Sequence, residues 1–99
     1  MAACPQVAEA FGRNLALVRR RLGFSQEELA VLCSLHRTAI GQLEHGQRLA
    51  RIDTLVKLGG GLGVDPCLLL DGIVWHVAGT RPGSFNVGAP GERLERVGR

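Results

Sequence analysis

The sequence predicts an all-α domain of five short helices, followed by a short extended or β-like C-terminal arm. Three observations predict it. Between residues 7 and 71, Leu, Val, Glu and Arg recur with apolar positions three and four apart, the period of one face of a helix. Stop and start signals cut that span into short pieces at Gly23, Ser25, Gly46, Asp65-Pro66 and Gly72. Beyond Gly72 the apolar residues alternate instead, in a stretch rich in glycine and proline.

The first helix follows from Phe11, Leu15, Val18 and Leu22, which make one apolar stripe, with Arg13, Arg20 and Arg21 largely off it. Gly23 ends it, because glycine takes the left-handed conformation at little cost. The second helix opens on Ser25-Gln26-Glu27-Glu28, a capping box in which the Ser25 hydroxyl accepts from the Glu28 N–H and Glu28 reaches back. Leu29, Ala30 and Cys33 form its inward face. The third helix spans about Arg37 to Glu44 and has only Ile40 and Leu43 as core positions, with Gly46 beyond its end. Arg37, Thr38, Gly41, Gln42 and His45 are left outward. So short an apolar anchor under a polar face implies that the face has a task.

The fourth helix carries Ile52, Leu55, Leu58 and Leu62 as its expected inward set. Gly59-Gly60-Gly61 weakens it by about 1 kcal/mol per glycine relative to alanine. Close helix approach at Gly59 and simple fraying both account for that run. The fifth helix begins at Asp65-Pro66, an N-cap followed by proline at the first helical position, and continues through Cys67 and Leu68-Leu69-Leu70. Ile73, Trp75 and Val77, and later Phe85 and Val87, then read as two short strands or one extended arm.

Length and charge narrow the function classes. With 99 residues there is room for one domain, and 12 Lys+Arg against 9 Asp+Glu give a net charge of +3. That mild excess permits an anionic partner without requiring one. No apolar run approaches the ~20 residues of a membrane span. Residues 1–10 lack the basic and apolar segments of a secretory signal. Cys4, Cys33 and Cys67 are odd in number and far apart, and with His36, His45 and His76 they complete no zinc spacing, so reduced thiols and no metal site are expected. No P-loop, GxGxxG or nucleophile–base spacing is present, and neither an enzyme nor a cofactor is expected.

Residues 23–46, GFSQEELAVLCSLHRTAIGQLEHG, place two short helices about three residues apart before a glycine stop, the spacing of a helix-turn-helix. Together with Asp53-Thr54-Leu55 and Leu62-Gly63-Val64, this order resembles the Cro-like, phage-repressor family, also called the xenobiotic-response-element family, over roughly residues 8–72. The resemblance implies a compact five-helix, lambda-repressor-like domain whose third helix enters the major groove of DNA. A groove about 12 Å wide admits one helix. Arg37 is suited to guanine, Gln42 to adenine, and Thr38 to thymine or a phosphate. Ser25 and Gln26 stand at a helix N-terminus, where unpaired N–H groups and the dipole favour a phosphate. The resemblance adds His45, Gln47 and Arg48 after the third helix as phosphate contacts, with Arg51 a further candidate.

Glu44 sits at a helix C-terminus, where the dipole disfavours a carboxylate. The resemblance places it beside Arg19, and an Arg19–Glu44 ion pair would offset that penalty. Three positions depart from the family pattern. Ser34 replaces the usual glycine of the turn, His36 stands where Ser or Thr often caps the third helix, and Gly41 removes one polar group from the reading face. A protonated His36 can instead touch a phosphate.

The expected organisation is an N-terminal extension over 1–7, a DNA-binding domain over 8–72, an extended arm over 73–87 and a disordered tail over 88–99. The expected protein is a bacterial, cytoplasmic, nucleoid-associated regulator, most simply a repressor. It binds double-stranded DNA as a homodimer, since one helix reads only about 4–5 base pairs and paired half-sites are the usual remedy. Leu68, Leu69, Ile73 and Trp75 are the expected dimer surface. Two alternatives accompany this reading: an antitoxin whose arm binds a toxin, and a protein-interaction module that uses the helices as a scaffold.

Overall fold

Pro5 opens the first helix, α1, Pro5–Arg21. Its fixed φ suits a first turn, whose N–H groups have no intrahelical partner. α2 (Gln26–Cys33), α3 (Arg37–Glu44) and α4 (Ile52–Leu62) follow, then a 3-10 helix, Pro66–Leu70, and two strands, β1 (Ile73–Ala78) and β2 (Arg81–Val87). The computed structural model describes residues 4–88, 94 and 97.

Phe11, Leu15 and Val18 of α1 are buried together with Leu29, Ala30 and Cys33 of α2, Ile40 and Leu43 of α3, and Leu58 and Leu62 of α4. Fully burying a side chain of this size contributes about 1.5–3 kcal/mol. The expected capping box is present: the Glu28 N–H donates to Ser25 Oγ at 3.0 Å, and the Ser25 N–H donates to Glu28 Oε1 at 2.9 Å. Ser34 takes the left-handed conformation at φ 54°, as the turn demands, despite its Cβ. His36 makes no side-chain capping bond to α3.

Three features differ from the sequence reading, while the arm takes the two-strand form that is one of its alternatives. The fifth helix is a 3-10 segment of five residues, so there are four α-helices. Asp65 does cap it, accepting from the Cys67 N–H at 2.9 Å. Its Leu68 and Leu69 are drawn into the core within one short stretch, and α1 holds its end: the buried Asn14 amide donates to the carbonyls of Leu69 at 3.0 Å and Asp71 at 2.9 Å. Those two leucines therefore offer nothing to a dimer surface. Ile52, expected inward, is 82% exposed, because the inward stripe of α4 starts a turn later with Leu55, Leu58 and Leu62. The arm is an antiparallel hairpin, pairing Ile73 with Val87, Trp75 with Phe85 and His76 with Ser84.

At the ends, residues 5–7 of the expected N-terminal extension are helical, and residues 1–3 lie outside the described residues. Most of the expected disordered tail, residues 89–93, 95, 96, 98 and 99, also lies outside them. Leu94, however, is fully buried in the core and Val97 packs against it, so the expectation does not hold at these two positions. No helix among the described residues is long and apolar enough to cross a membrane.

The α4 glycines divide by surroundings. A Cβ on Gly59 would stand 2.5 Å from Pro66 Cγ, and one on Gly61 would stand 2.4 Å from Cys33 Sγ, whereas one on Gly60 would meet nothing. Close approach explains the first and third. Nothing in the packing explains Gly60.

Candidate nucleic-acid interface

α3 has two core residues and no cap at His36, so its position depends on what α1 and α2 supply. Gly12 of α1 is one support. A Cβ there would stand 2.4 Å from the Leu43 carbonyl and 2.6 Å from that of Glu44, so only glycine lets α1 touch the α3 backbone this closely. Gly46, at φ 69°, likewise lies against Glu9 of α1.

Glu44 is the second support. Its carboxylate takes Arg19 Nε on one oxygen and Arg19 Nη2, at 3.0 Å, on the other. The two side chains are 10% and 4% exposed, so the expected ion pair exists, is bidentate and is nearly dry. The same guanidinium donates from Nη1 to the Phe24 carbonyl at 2.8 Å. Gln26 Nε2 donates to Glu44 Oε1 at 3.0 Å. One cluster thus joins the end of α1, the first turn of α2 and the last turn of α3, and it cancels the unfavourable dipole at Glu44.

On this frame Arg37 and Thr38 are exposed and Gln42 half-buried along the outer face of α3. Gly41 has open space around it on the same helix. Arg37 Nε lies 3.0 Å from Glu27 Oε1, an exposed pair at 63% and 73% that links the outer face of α3 to α2. Such pairs contribute about 0–1 kcal/mol and open readily.

The expected phosphate residues fall into two groups. Gln26 and His45 line one concavity of about 470 Å³ with Arg13, Arg20 and Glu44. His45 Nδ1 donates to the Gly41 carbonyl at 2.7 Å, which fixes the ring. Arg48 lies elsewhere, in a hollow of about 440 Å³ with Arg51, Asp53, Thr54 and Lys57, where Arg51 is 3.4 Å from Asp53. Ser25, His36 and Gln47 are exposed. The Ser25 oxygen already accepts from the Glu28 N–H, and its hydroxyl is also engaged by the Glu28 carboxylate, so the capping box occupies this side chain. The capping bonds, first the backbone N–H of Ser25 and then its hydroxyl, hold the Glu28 carboxyl below its ordinary range, so this acid stays charged beside the helix start.

Sequence reasoning missed three things here. Arg13 and Arg20, which the sequence places only off the apolar stripe, share the concavity of Gln26 and His45. Gln26 was read as a phosphate ligand alone, but it is also tied to Glu44. Gly12 was not singled out. The spacing of Arg13 and Arg20, seven apart and so on one helix face, could have found the first.

Among known families, the family model described as Helix-turn-helix matches residues 15–69. The control protein C.BamHI of Bacillus amyloliquefaciens is 42% identical over 62 residues, which is 62% of this chain and 76% of that protein. The restriction-modification controller protein C.AhdI from Aeromonas hydrophila superposes with a TM-score of 0.62 at 37% identity, over 63% of this chain and 94% of its own. The hypothetical transcription factor NHTF from Neisseria superposes with a TM-score of 0.62 at 32% identity, over 69% of this chain and 79% of its own.

Proposed function

This chain belongs to the helix-turn-helix family, and from that premise we propose that it is a sequence-specific DNA-binding transcriptional regulator that reads operator half-sites with α3. The observation that carries the reading is the outward Arg37, Thr38 and Gln42 face of α3, held by the Arg19–Glu44–Gln26 cluster, whose ion pair is nearly dry. A helix fixed from behind and polar in front is what a major groove accepts. Arg37 reads guanine, Gln42 reads adenine, and Thr38 contacts thymine or a phosphate. Gln26, His45, Ser25, His36, Gln47 and Arg48 hold the flanking backbone, joined by Arg13 and Arg20. Phosphate contacts fix the register and base contacts supply the sequence.

The names of the relatives, a control protein and a restriction-modification controller, support a narrower reading: this chain regulates the genes of a restriction-modification system. It acts in the cytoplasm, as a homodimer on paired half-sites. The antitoxin and protein-scaffold readings draw no support from the relatives, and no enzyme family is among them.

Selection of bound sequences from a random DNA pool tests the reading. The expected product is a site with two related half-sites. On that site Arg37→Ala loses about 1–3 kcal/mol and relaxes one base position, while Gln42→Ala relaxes another. Wild-type affinity and specificity in both variants would show that α3 is not the reader.

A further inference from the structure

The hairpin β1–β2 lies beyond the residues that the helix-turn-helix family model matches, which end at 69. What the hairpin adds is an open strand edge. The sheet has two strands, so each has one unpaired side among the described residues. The two edges are unlike. β2 carries Arg81, Pro82 and Gly83, features that keep an edge from pairing. β1 reads Ile-Val-Trp-His-Val-Ala, with no proline, no glycine and no Lys, Arg, Asp or Glu.

The register says which backbone groups β1 offers. The Gly88 N–H donates to the Gly72 carbonyl at 2.9 Å, so Gly72 and Gly88 form a hydrogen-bonded pair. Alternation then makes Val74–Asn86 and His76–Ser84 bonded pairs and leaves Ile73–Val87 and Trp75–Phe85 as non-bonded pairs. The N–H and C=O groups of Ile73 and Trp75 therefore point away from β2; between His76 and Ala78 the register shifts, β1 advancing two residues while β2 advances three, so the extra residue lies on β2 and β1 itself runs on through Val77. Trp75 does not cover them. Its ring leans across β2, over the bare Cα of Gly83, and meets Phe85 edge-on at 5.0 Å. Val77 is 83% exposed and Trp75 is 54% exposed.

We propose that the β1 edge pairs antiparallel with β1 of a second copy of this chain, about a two-fold axis at Trp75, making a continuous four-stranded sheet. The sequence of the edge selects that occupant. An antiparallel pair centred on Trp75 sets Trp75 against the second copy's Trp75, and Ile73 against the second copy's Val77. Every outward-pointing position thus meets an apolar one, and the strand brings no like charges together. A two-fold interface needs this self-complementarity. The two-fold of an antiparallel pair is perpendicular to the sheet, so both helical domains lie on the same side of it. The inference rests on the dimer of the proposed function and names its surface.

Sedimentation equilibrium on the full chain tests the edge. Proline at position 75 removes an N–H that the hairpin itself does not use. Trp75→Pro should weaken self-association at least tenfold with the helical circular dichroism unchanged, while Trp75→Phe stays dimeric. Self-association of Trp75→Pro equal to that of the wild type, or a monomeric wild type, overturns the proposal. Cross-linking keeps the test open if Trp75→Pro fails to fold. In a Cys4→Ser/Cys67→Ser background oxidised with diamide, Trp75→Cys should form a covalent dimer, because bonded partners lie about 5.5 Å apart. Val77→Cys should not, being about 13 Å from its own copy at ~3.3 Å per residue. Equal cross-linking of the two also overturns it. The DNA reading is scored separately. A monomeric Trp75→Pro that still binds one half-site through Arg37 upholds it, and a wild type that binds no DNA sinks it while the cross-link still reports the edge.

Discussion

Removing Glu44 is the sharpest perturbation of the frame behind α3. Glu44→Ala leaves the Arg19 guanidinium almost buried with one described acceptor, the Phe24 carbonyl at 2.8 Å. It also releases Gln26. Exposed ion pairs contribute about 0.2–1 kcal/mol, whereas stripping one partner from a buried pair costs about 3–5 kcal/mol. With the two side chains 10% and 4% exposed, the pair belongs to the second class, and the expected loss is about 3 kcal/mol. Domains of this size have about 5–15 kcal/mol in all, so the variant folds but is visibly weakened.

Arg19→Ala should cost a similar amount, since it strands the carboxylate with Gln26 alone. Arg19→Ala/Glu44→Ala removes both charges and should lose less than the sum of the singles, by up to about 3 kcal/mol. Urea unfolding followed by circular dichroism reads all three. With a slope of about 1–3 kcal/mol per molar, a 3 kcal/mol loss moves the midpoint by at least about 1 M. High salt should leave the coupling in place, because buried pairs are screened far less than exposed ones. Additivity within about 0.5 kcal/mol would refute the cluster as a working unit.

Four further outcomes are expected. Gly60→Ala should stabilise the domain by about 1 kcal/mol, or ~4–8 °C in melting temperature, whereas Gly59→Ala and Gly61→Ala should destabilise it through contact with Pro66 and Cys33; equal shifts at all three positions would contradict the packing. Burial raises the Cys33 thiol above its ordinary value of 9.0, against smaller lowering effects from the Gly61 backbone and Lys57. The unfolded thiol ionises first, so Cys33 contributes stability below pH ~9 that is lost as pH rises through its raised value, and Cys33→Ala should abolish that part of the alkaline decline in melting temperature. Cys4 and Cys67 should react at once with a thiol reagent, and Cys33 only on unfolding. Glu27→Gln should free Arg37 and tighten operator binding by up to about fivefold with the base preference unchanged, since the pair it breaks is exposed; a changed preference in a repeated selection would assign Glu27 a reading role.

The apolar stripe of α1, the capping box and the inward faces of α2 and α3 were legible because each is a local pattern, set by residues three or four apart. Arg19–Glu44 was legible only through family resemblance, since nothing in the spacing of residues 25 apart implies contact. Asn14 had no signal of any kind: its partners, the carbonyls of Leu69 and Asp71, lie 55 and 57 residues away and are backbone atoms. Ile52 misled because it fits the apolar period, while the core begins a turn later. The 3-10 segment misled because its cap and proline are those of any helix start. Its length is decided by the need to bury Leu68 and Leu69 and then turn at Gly72.

These hidden contacts share a consequence for function. α3 has a weak local case for being a helix where it is: eight residues, two core positions, no N-cap bond, a glycine in the middle and an acid at its C-terminal end. Propensity and capping alone would leave such a segment frayed, since isolated helices shorter than about 12–15 residues are marginal in water. What holds it is tertiary: the glycine contact from α1, the Arg19 fork and Gln26. The candidate reading face is thus specified largely by Gly12, Arg19 and Glu44, which lie behind α3. Loss of operator binding in a Gly12 or Arg19 variant is expected to track loss of stability, whereas loss in an Arg37 or Gln42 variant is not. Measuring both quantities on the same four variants separates the residues that present α3 from those that read with it.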